Sequence, residues 1–185
     1  MLITILAYVL VGGFLVIEGR MRQGNEAKNL ERGKYDQGST ALIGAAYGIT
    51  IVSLIASALL PQTFPLALQW FGLALMVAGL GLRFWAFRTL GRFYTRTLRV
   101  TEQQQVVQAA PYNLIRHPGY SGSLLLWIGA GIATGNLLVL LIAGIAMGIA
   151  YTYRIRTEET MLLWTLGGEY ERYRSHTWRL IPLIY

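Results

Sequence analysis

Apolar residues in this chain gather into five long runs separated by short or strongly polar connections. The first, Met1 to Ile17, ends at the polar stretch EGRMR. The second, Ala41 to Leu60, is closed by Pro61, and the third, Leu66 to Phe87, is interrupted near its end by Arg83. The fourth and fifth, Tyr120 to Thr134 and Leu137 to Tyr153, form a pair joined by Gly135-Asn136. These lengths approach the roughly 20 residues that a helix needs to cross a bilayer. The pattern predicts an all-α integral membrane protein of about five transmembrane helices, ending in a helical hairpin. The fourth run is the short one, about 22 Å at helical rise. It either crosses incompletely or borrows residues from its flanks. The first run lacks a basic start and a small-residue cleavage site, so it reads as a helix and not as a signal peptide.

Polar positions sharpen this picture because they are one-sided. All 16 Lys and Arg fall after the first, third and fifth runs or at the helix ends that feed those segments. They are Arg20, Arg22, Lys28, Arg32 and Lys34; Arg83, Arg88, Arg92, Arg96, Arg99 and Arg116; and Arg154, Arg156, Arg172, Arg174 and Arg179. The opposite connections, PQTFP and TGN, carry no charge. The positive-inside rule then puts the N-terminus outside and the long loops and C-terminus in the cytoplasm. A net charge of +7 follows from this topology and from attraction to anionic lipid, with no need of nucleic acid. The composition, 54% hydrophobic and 14% charged, is that of a membrane chain and not of a soluble domain. A chain of 185 residues is one domain, with a three-helix part over 1–89 and a loop, hairpin and tail over 90–185. Its compactness points to a prokaryotic inner membrane. The absence of cysteine excludes disulfides and thiolate metal sites, and with only His117 and His176 no metal centre is expected.

Any chemistry is therefore expected on the cytoplasmic face, from the loop Leu90–Gly119 and the tail Arg154–Tyr185. Arg154 and Glu158 lie four apart and share a helical face, which suits either an ion pair at a helix end or a site. Glu159 points elsewhere and reads as solvated. Met161 to Leu166 suits an amphipathic segment at the interface, stopped by Gly167-Gly168. Tyr170, Tyr173 and Trp178 read as interfacial aromatics. Pro111 and Pro118 bracket YNLIRH, and His117, preceding a proline, is biased away from helix. Tyr112, Arg116, His117 and Tyr120 fall within one short stretch and suggest the lip of a pocket. Arg116 suits equally an anchor reaching water or lipid phosphate.

The motifs RHPGY before a helical hairpin, then RTEETMLL, LGGEYERYR and RLIP, together resemble the isoprenylcysteine carboxyl methyltransferase family of membrane enzymes. The related phospholipid methyltransferases share the pattern more loosely. The likeness covers Leu90 to Pro182. It implies S-adenosylmethionine as methyl donor, held in a cytoplasmic pocket by Gln104, Gln105, Val106 and Val107, by Tyr112, His117, Pro118, Gly119 and Tyr120, and by Glu158. It implies that Arg154 faces the carboxylate of a lipophilic acceptor such as a prenylated cysteine. Arg154 and Glu158 would then carry catalysis. Gln104 and Ala110 depart from the family pattern, which has His and Gly there.

The chemistry agrees with these residue types. A sulfonium cation favours aromatic faces and a nearby carboxylate. A carboxylate acceptor is already ionised at neutral pH, so the protein has only to align the reacting atoms. Arg154 could orient that carboxylate through two parallel contacts, and at that depth it needs a partner. The acceptor's lipid tail would enter between helices, where Gly129, Gly131 and Ala133 allow close packing or a groove. Three other readings stay open. In phospholipid N-methylation the amine must lose a proton to a base such as His117 or Glu159. An NADPH-dependent sterol-reductase-like enzyme and a lipid-binding scaffold are the others.

Overall fold

The computed structural model describes residues 2–20, 35–91 and 105–185. The described chain holds six α-helices: α1 (Leu2–Arg20), α2 (Ser39–Ala56, continued by a 3-10 turn over Ser57–Leu59), α3 (Leu66–Leu90), α4 (Pro118–Ala133), α5 (Leu137–Leu166) and α6 (Gly168–Ser175). No strand occurs among the described residues; Ile115 and Trp178 form a single isolated bridge.

Four helices, α1, α2 with its 3-10 turn, α3 and α5, are long and apolar enough to cross a membrane. At 16 residues, about 24 Å, α4 falls short of a hydrocarbon core about 30 Å thick. The five apolar runs thus become five helices, of which four have spanning length. By contrast, α5 at 30 residues is about 45 Å long and carries its basic end well past the core. Only 28% of each of the first three spans is buried. Side chains such as Val9, Val52, Trp70, Phe71 and Ile145 face outward, as expected where the surrounding solvent is lipid.

Local sequence sets the helix ends. Pro118 occupies the first turn of α4, where its missing N–H costs nothing. The Asn136 side chain caps α5 by accepting from the Leu138 and Val139 amides at 3.0 and 3.2 Å. Gly135 (φ 73°) supplies the left-handed residue that this two-residue turn needs. Close packing of α3 on α4 depends on glycines spaced by seven. A Cβ on Gly79 would stand 2.4 Å from the Gly122 carbonyl, and one on Gly72 would stand 2.7 Å from that of Gly129. Gly131 likewise seats against Leu140 of α5. These small residues are used to bring backbones together and do not form a groove. Deeper in the bundle, fully buried Trp127 of α4 meets Phe14 and Tyr47 with ring centroids at 5.7 and 5.2 Å. That cluster joins α1, α2 and α4 beneath the site.

Candidate functional site

The basic end of the bundle encloses a cavity of about 240 Å³, walled by α1 to α6 and by the segment before α4. Three ionic clusters shape it.

The first is centred on Arg154, which is 2% exposed. Its Nη1 donates to Asp36 Oδ1 at 2.8 Å, to Ser39 Oγ at 2.8 Å and to Thr40 Oγ1 at 3.1 Å. Its Nε donates to the Tyr120 hydroxyl at 3.2 Å, and that hydroxyl donates to Glu158 Oε2 at 2.7 Å. The one-turn spacing of Arg154 and Glu158 therefore places them on one face with the Tyr120 hydroxyl between them, and Asp36 is the acid at 2.8 Å from the guanidinium. Burial works against ionisation of Asp36. Hydrogen bonds from Thr40 and Ser39 and the charge of Arg154 outweigh it, holding this carboxyl below its usual range.

The second cluster is centred on Glu159, which the sequence suggested was solvated and which is 4% exposed. Its carboxylate accepts from Arg116 Nε at 3.0 Å and from Arg179 Nη2 at 2.8 Å, and it lies 3.3 Å from His117 Nε2. The helical face that seemed free is covered by α6 and the following tail. Arg116, considered as a lipid anchor, is turned inward: besides Glu159 it donates to the carbonyls of Arg174 and Thr177. Backbone bonds from Arg116 to Trp178 and from His117 to Arg179, at 2.7 and 3.2 Å, lay the tail alongside the loop. Burial lowers the Arg179 pKa, but the Glu159 carboxylate more than offsets it.

The third cluster ties α1 to α3 and α4. Arg83 pairs with Glu18 at 2.6 Å and donates to the Gly119 carbonyl at 2.8 Å.

Most of the residues implied by the resemblance converge here. Gln105, Val106, Val107, Tyr112, His117, Gly119, Tyr120, Arg154 and Glu158 all line the cavity. Gln104 lies outside the described residues. Pro118 is fully buried in the first turn of α4 and does not line the cavity; it shapes the turn that presents its neighbours. His117 stacks on Tyr120 at 5.7 Å. Tyr170 and Tyr173 are not interfacial aromatics: they are 3% and 8% exposed and form part of the wall. The Tyr173 hydroxyl donates to the Tyr112 carbonyl at 2.7 Å. Asp36, Glu18, Thr40 and Tyr47 were not anticipated. The two acids stand at the basic ends of apolar runs, where a carboxylate needs a partner, and that was the available signal.

These features define a helical integral membrane protein with a charged cavity at the basic end of its bundle. A family described as phospholipid methyltransferase matches residues 67–167, and the chain belongs to that family. It is 31% identical over 121 residues to a probable protein-S-isoprenylcysteine O-methyltransferase of Oryza sativa subsp. indica, covering 62% of this chain and 63% of the rice protein. It is 34% identical over 73 residues to the protein-S-isoprenylcysteine O-methyltransferase of Schizosaccharomyces pombe, covering 40% and 31%. Among solved structures, a eukaryotic intramembrane Ras methyltransferase, isoprenylcysteine carboxyl methyltransferase, superimposes with a TM-score of 0.64 at 26% identity, over 78% of this chain and 52% of that one. The chain thus spans less than two thirds of the length of these relatives.

Proposed function

We propose that the protein is a membrane methyltransferase that uses S-adenosylmethionine to methylate the carboxylate of a lipophilic acceptor, such as a prenylated cysteine. The observation that carries this reading is the pairing, in one cavity, of a half-buried carboxylate, Glu158, with a rigidly held guanidinium, Arg154. The names of the relatives point the same way.

The residues fit the donor. Glu158 Oε2 is taken by Tyr120, while Oε1 has no hydrogen-bond partner among the described residues. That oxygen and the rings of Tyr112 and Tyr120 suit a cation. When bound, S-adenosylmethionine supplies an electrophilic methyl group. The chain's own task is to bind, orient and exclude water. Asp36, Ser39 and Thr40 fix the Arg154 guanidinium before the acceptor arrives, so its direction costs little at the moment of reaction. Arg154 orients the acceptor carboxylate, which needs no base.

Methylation of a phospholipid amine would need one, and the two candidates are committed elsewhere. Glu159 is occupied by Arg116 and Arg179, and the His117 ring nitrogen faces Glu159. This favours the carboxylate acceptor. The one-sided distribution of basic residues supports a cavity on the cytoplasmic side and an N-terminus outside.

Calorimetry on the purified chain in micelles tests the reading: S-adenosylmethionine binds and NADPH does not. Absence of binding by S-adenosylmethionine overturns it. Loss of the carboxylate charge facing the sulfonium in Glu158→Gln should weaken donor affinity about tenfold or more. Arg154→Ala should retain donor binding while losing turnover of a prenylated cysteine bearing a free carboxylate. Unchanged turnover would remove Arg154 from the proposed role.

A further inference from the structure

Beyond Arg179 the sequence reads LIPLIY, with no polar side-chain atom before the Tyr185 hydroxyl. None of these residues lines the cavity, and the segment closes on itself. Pro182 has no N–H. The amides of Leu180 and Ile181 donate to the Tyr185 carbonyl at 2.8 and 3.0 Å, and those of Ile184 and Tyr185 donate to the Ile181 carbonyl at 3.1 and 3.0 Å. Internal pairing of this kind is what a backbone needs in a solvent that offers no hydrogen bonds. The aliphatic side chains are nevertheless left uncovered: Leu183 is 83% and Ile184 76% exposed. Leu183 is also held at φ 68°, a left-handed conformation that is strained for a residue with a Cβ. In water, a strained turn that displays two aliphatic side chains gains the fold nothing.

The neighbours of the turn fix its level in the bundle. Leu180 is buried in the same apolar core as Trp127 and Met147, and its carbonyl accepts from Ser121 Oγ at 2.6 Å in the first turn of α4. The His117 amide, just before α4, donates to the Arg179 carbonyl. Because α4 is shorter than the hydrocarbon is thick, its first turn stands at the hydrocarbon margin, and the LIPLIY turn stands beside it. The flanking residues suit that level. Trp178 is exposed, and its amide donates to the carbonyl of the equally exposed Leu114. Arg179 Nη1 donates to the Tyr185 hydroxyl at 2.5 Å, with its guanidinium 4.8 Å from that ring's centroid. Trp, Tyr and a reaching Arg around aliphatic side chains match the boundary between headgroups and acyl chains.

We propose that the turn Ile181–Tyr185 is an interfacial anchor, which inserts Leu183 and Ile184 into the lipid leaflet at the basic end of the bundle. The occupant of this apolar patch is thus the bilayer that the spanning helices already face. Arg179 carries the hold inward, because its guanidinium also pairs with Glu159 at 2.8 Å. The tail that covers Glu159 is gripped by the cavity wall on one side and by lipid on the other. The inference needs only the membrane bundle and not the proposed reaction.

The chain has no cysteine, so a single nitroxide can be attached at Leu183→Cys or at Ile184→Cys. The full chain is reconstituted in vesicles of phosphatidylcholine and phosphatidylglycerol. Collision of the nitroxide with oxygen, which concentrates in lipid, is compared with collision with water-soluble nickel ethylenediaminediacetate. Val52→Cys, facing outward on α2, and Glu169→Cys, exposed on α6, supply the lipid and water references. Both tip positions should be open to oxygen and shielded from nickel, with an oxygen-to-nickel ratio severalfold above that at position 169. A ratio equal to that at position 169 leaves the tip in water and overturns the proposal. Shielding from both reagents overturns it as well, since the patch would then be covered by protein, whether another segment or a second copy.

Discussion

Glu159 is one carboxylate serving Arg116 and Arg179, with the His117 ring close by. Neutralising it as Glu159→Gln would strand two cations, one of them nearly buried, and breaking a buried ion pair from one side costs about 3 kcal/mol. Equilibrium unfolding in micelles should show that loss, and the tail beyond Ser175 should become the first segment cut by limited proteolysis. Glu158→Gln, one residue away, should cost little stability, because its carboxylate is half-buried and bonded to a single hydroxyl. In the proposed function, neighbouring glutamates thus divide between scaffold and ligand. Their sequence spacing separates the two faces of α5, and the motif singled out Glu158, but what covers the second face was not legible. That depends on the fold-back of α6 and the tail, which rests on a few long-range backbone bonds without a periodic signature. The inward turn of Arg116 and the burial of Tyr170 were hidden for the same reason.

Helix-to-helix packing is concentrated in the glycine seam of α3 and α4, which presents the turn carrying His117, Gly119 and Tyr120. A methyl group at position 79 would overlap the backbone of Gly122 and Leu126, whereas one at Gly81 meets nothing within 4 Å. Gly79→Ala should therefore lower the melting temperature by several degrees and weaken donor binding as α4 is displaced. Gly81→Ala should be neutral or stabilising by about 0.5–1 kcal/mol, the ordinary gain of replacing a helical glycine. Paired thermal scans decide between these outcomes. The helices themselves were readable from apolar run length, with ends within a few residues except at α5, which continues past Tyr153 to Leu166, because exclusion of water from the bilayer leaves the backbone few other choices. The functional pairing of Gly72 with Gly129 and Gly79 with Gly122 needs the crossing geometry, which run length does not encode.

Across the whole molecule, the Asp36–Arg154 contact joins α2 to α5. Asp36 has a folded pKa below its unfolded value of about 3.9. The stabilisation is therefore complete above the unfolded pKa and disappears as pH falls through the lower folded one. The stability difference between wild type and Asp36→Asn should be constant above about pH 5 and shrink in stronger acid. A difference that instead grew on acidification would contradict the ionised pair. At neutral pH, Asp36→Asn should also reduce turnover more than donor affinity, since Arg154 would keep its place in the wall but lose its fixed direction. The two partners are 118 residues apart. At about 5–20 residues per second, Asp36 is made roughly ten seconds before Arg154 exists. Through that interval α2, which packs chiefly against α5, has little to dock on, while α1 can already settle against α3 and α4. Assembly in the membrane is thus ordered by translation: α2, made before α3 and α4, is seated after them, and the cavity closes only when the ribosome has delivered its far wall.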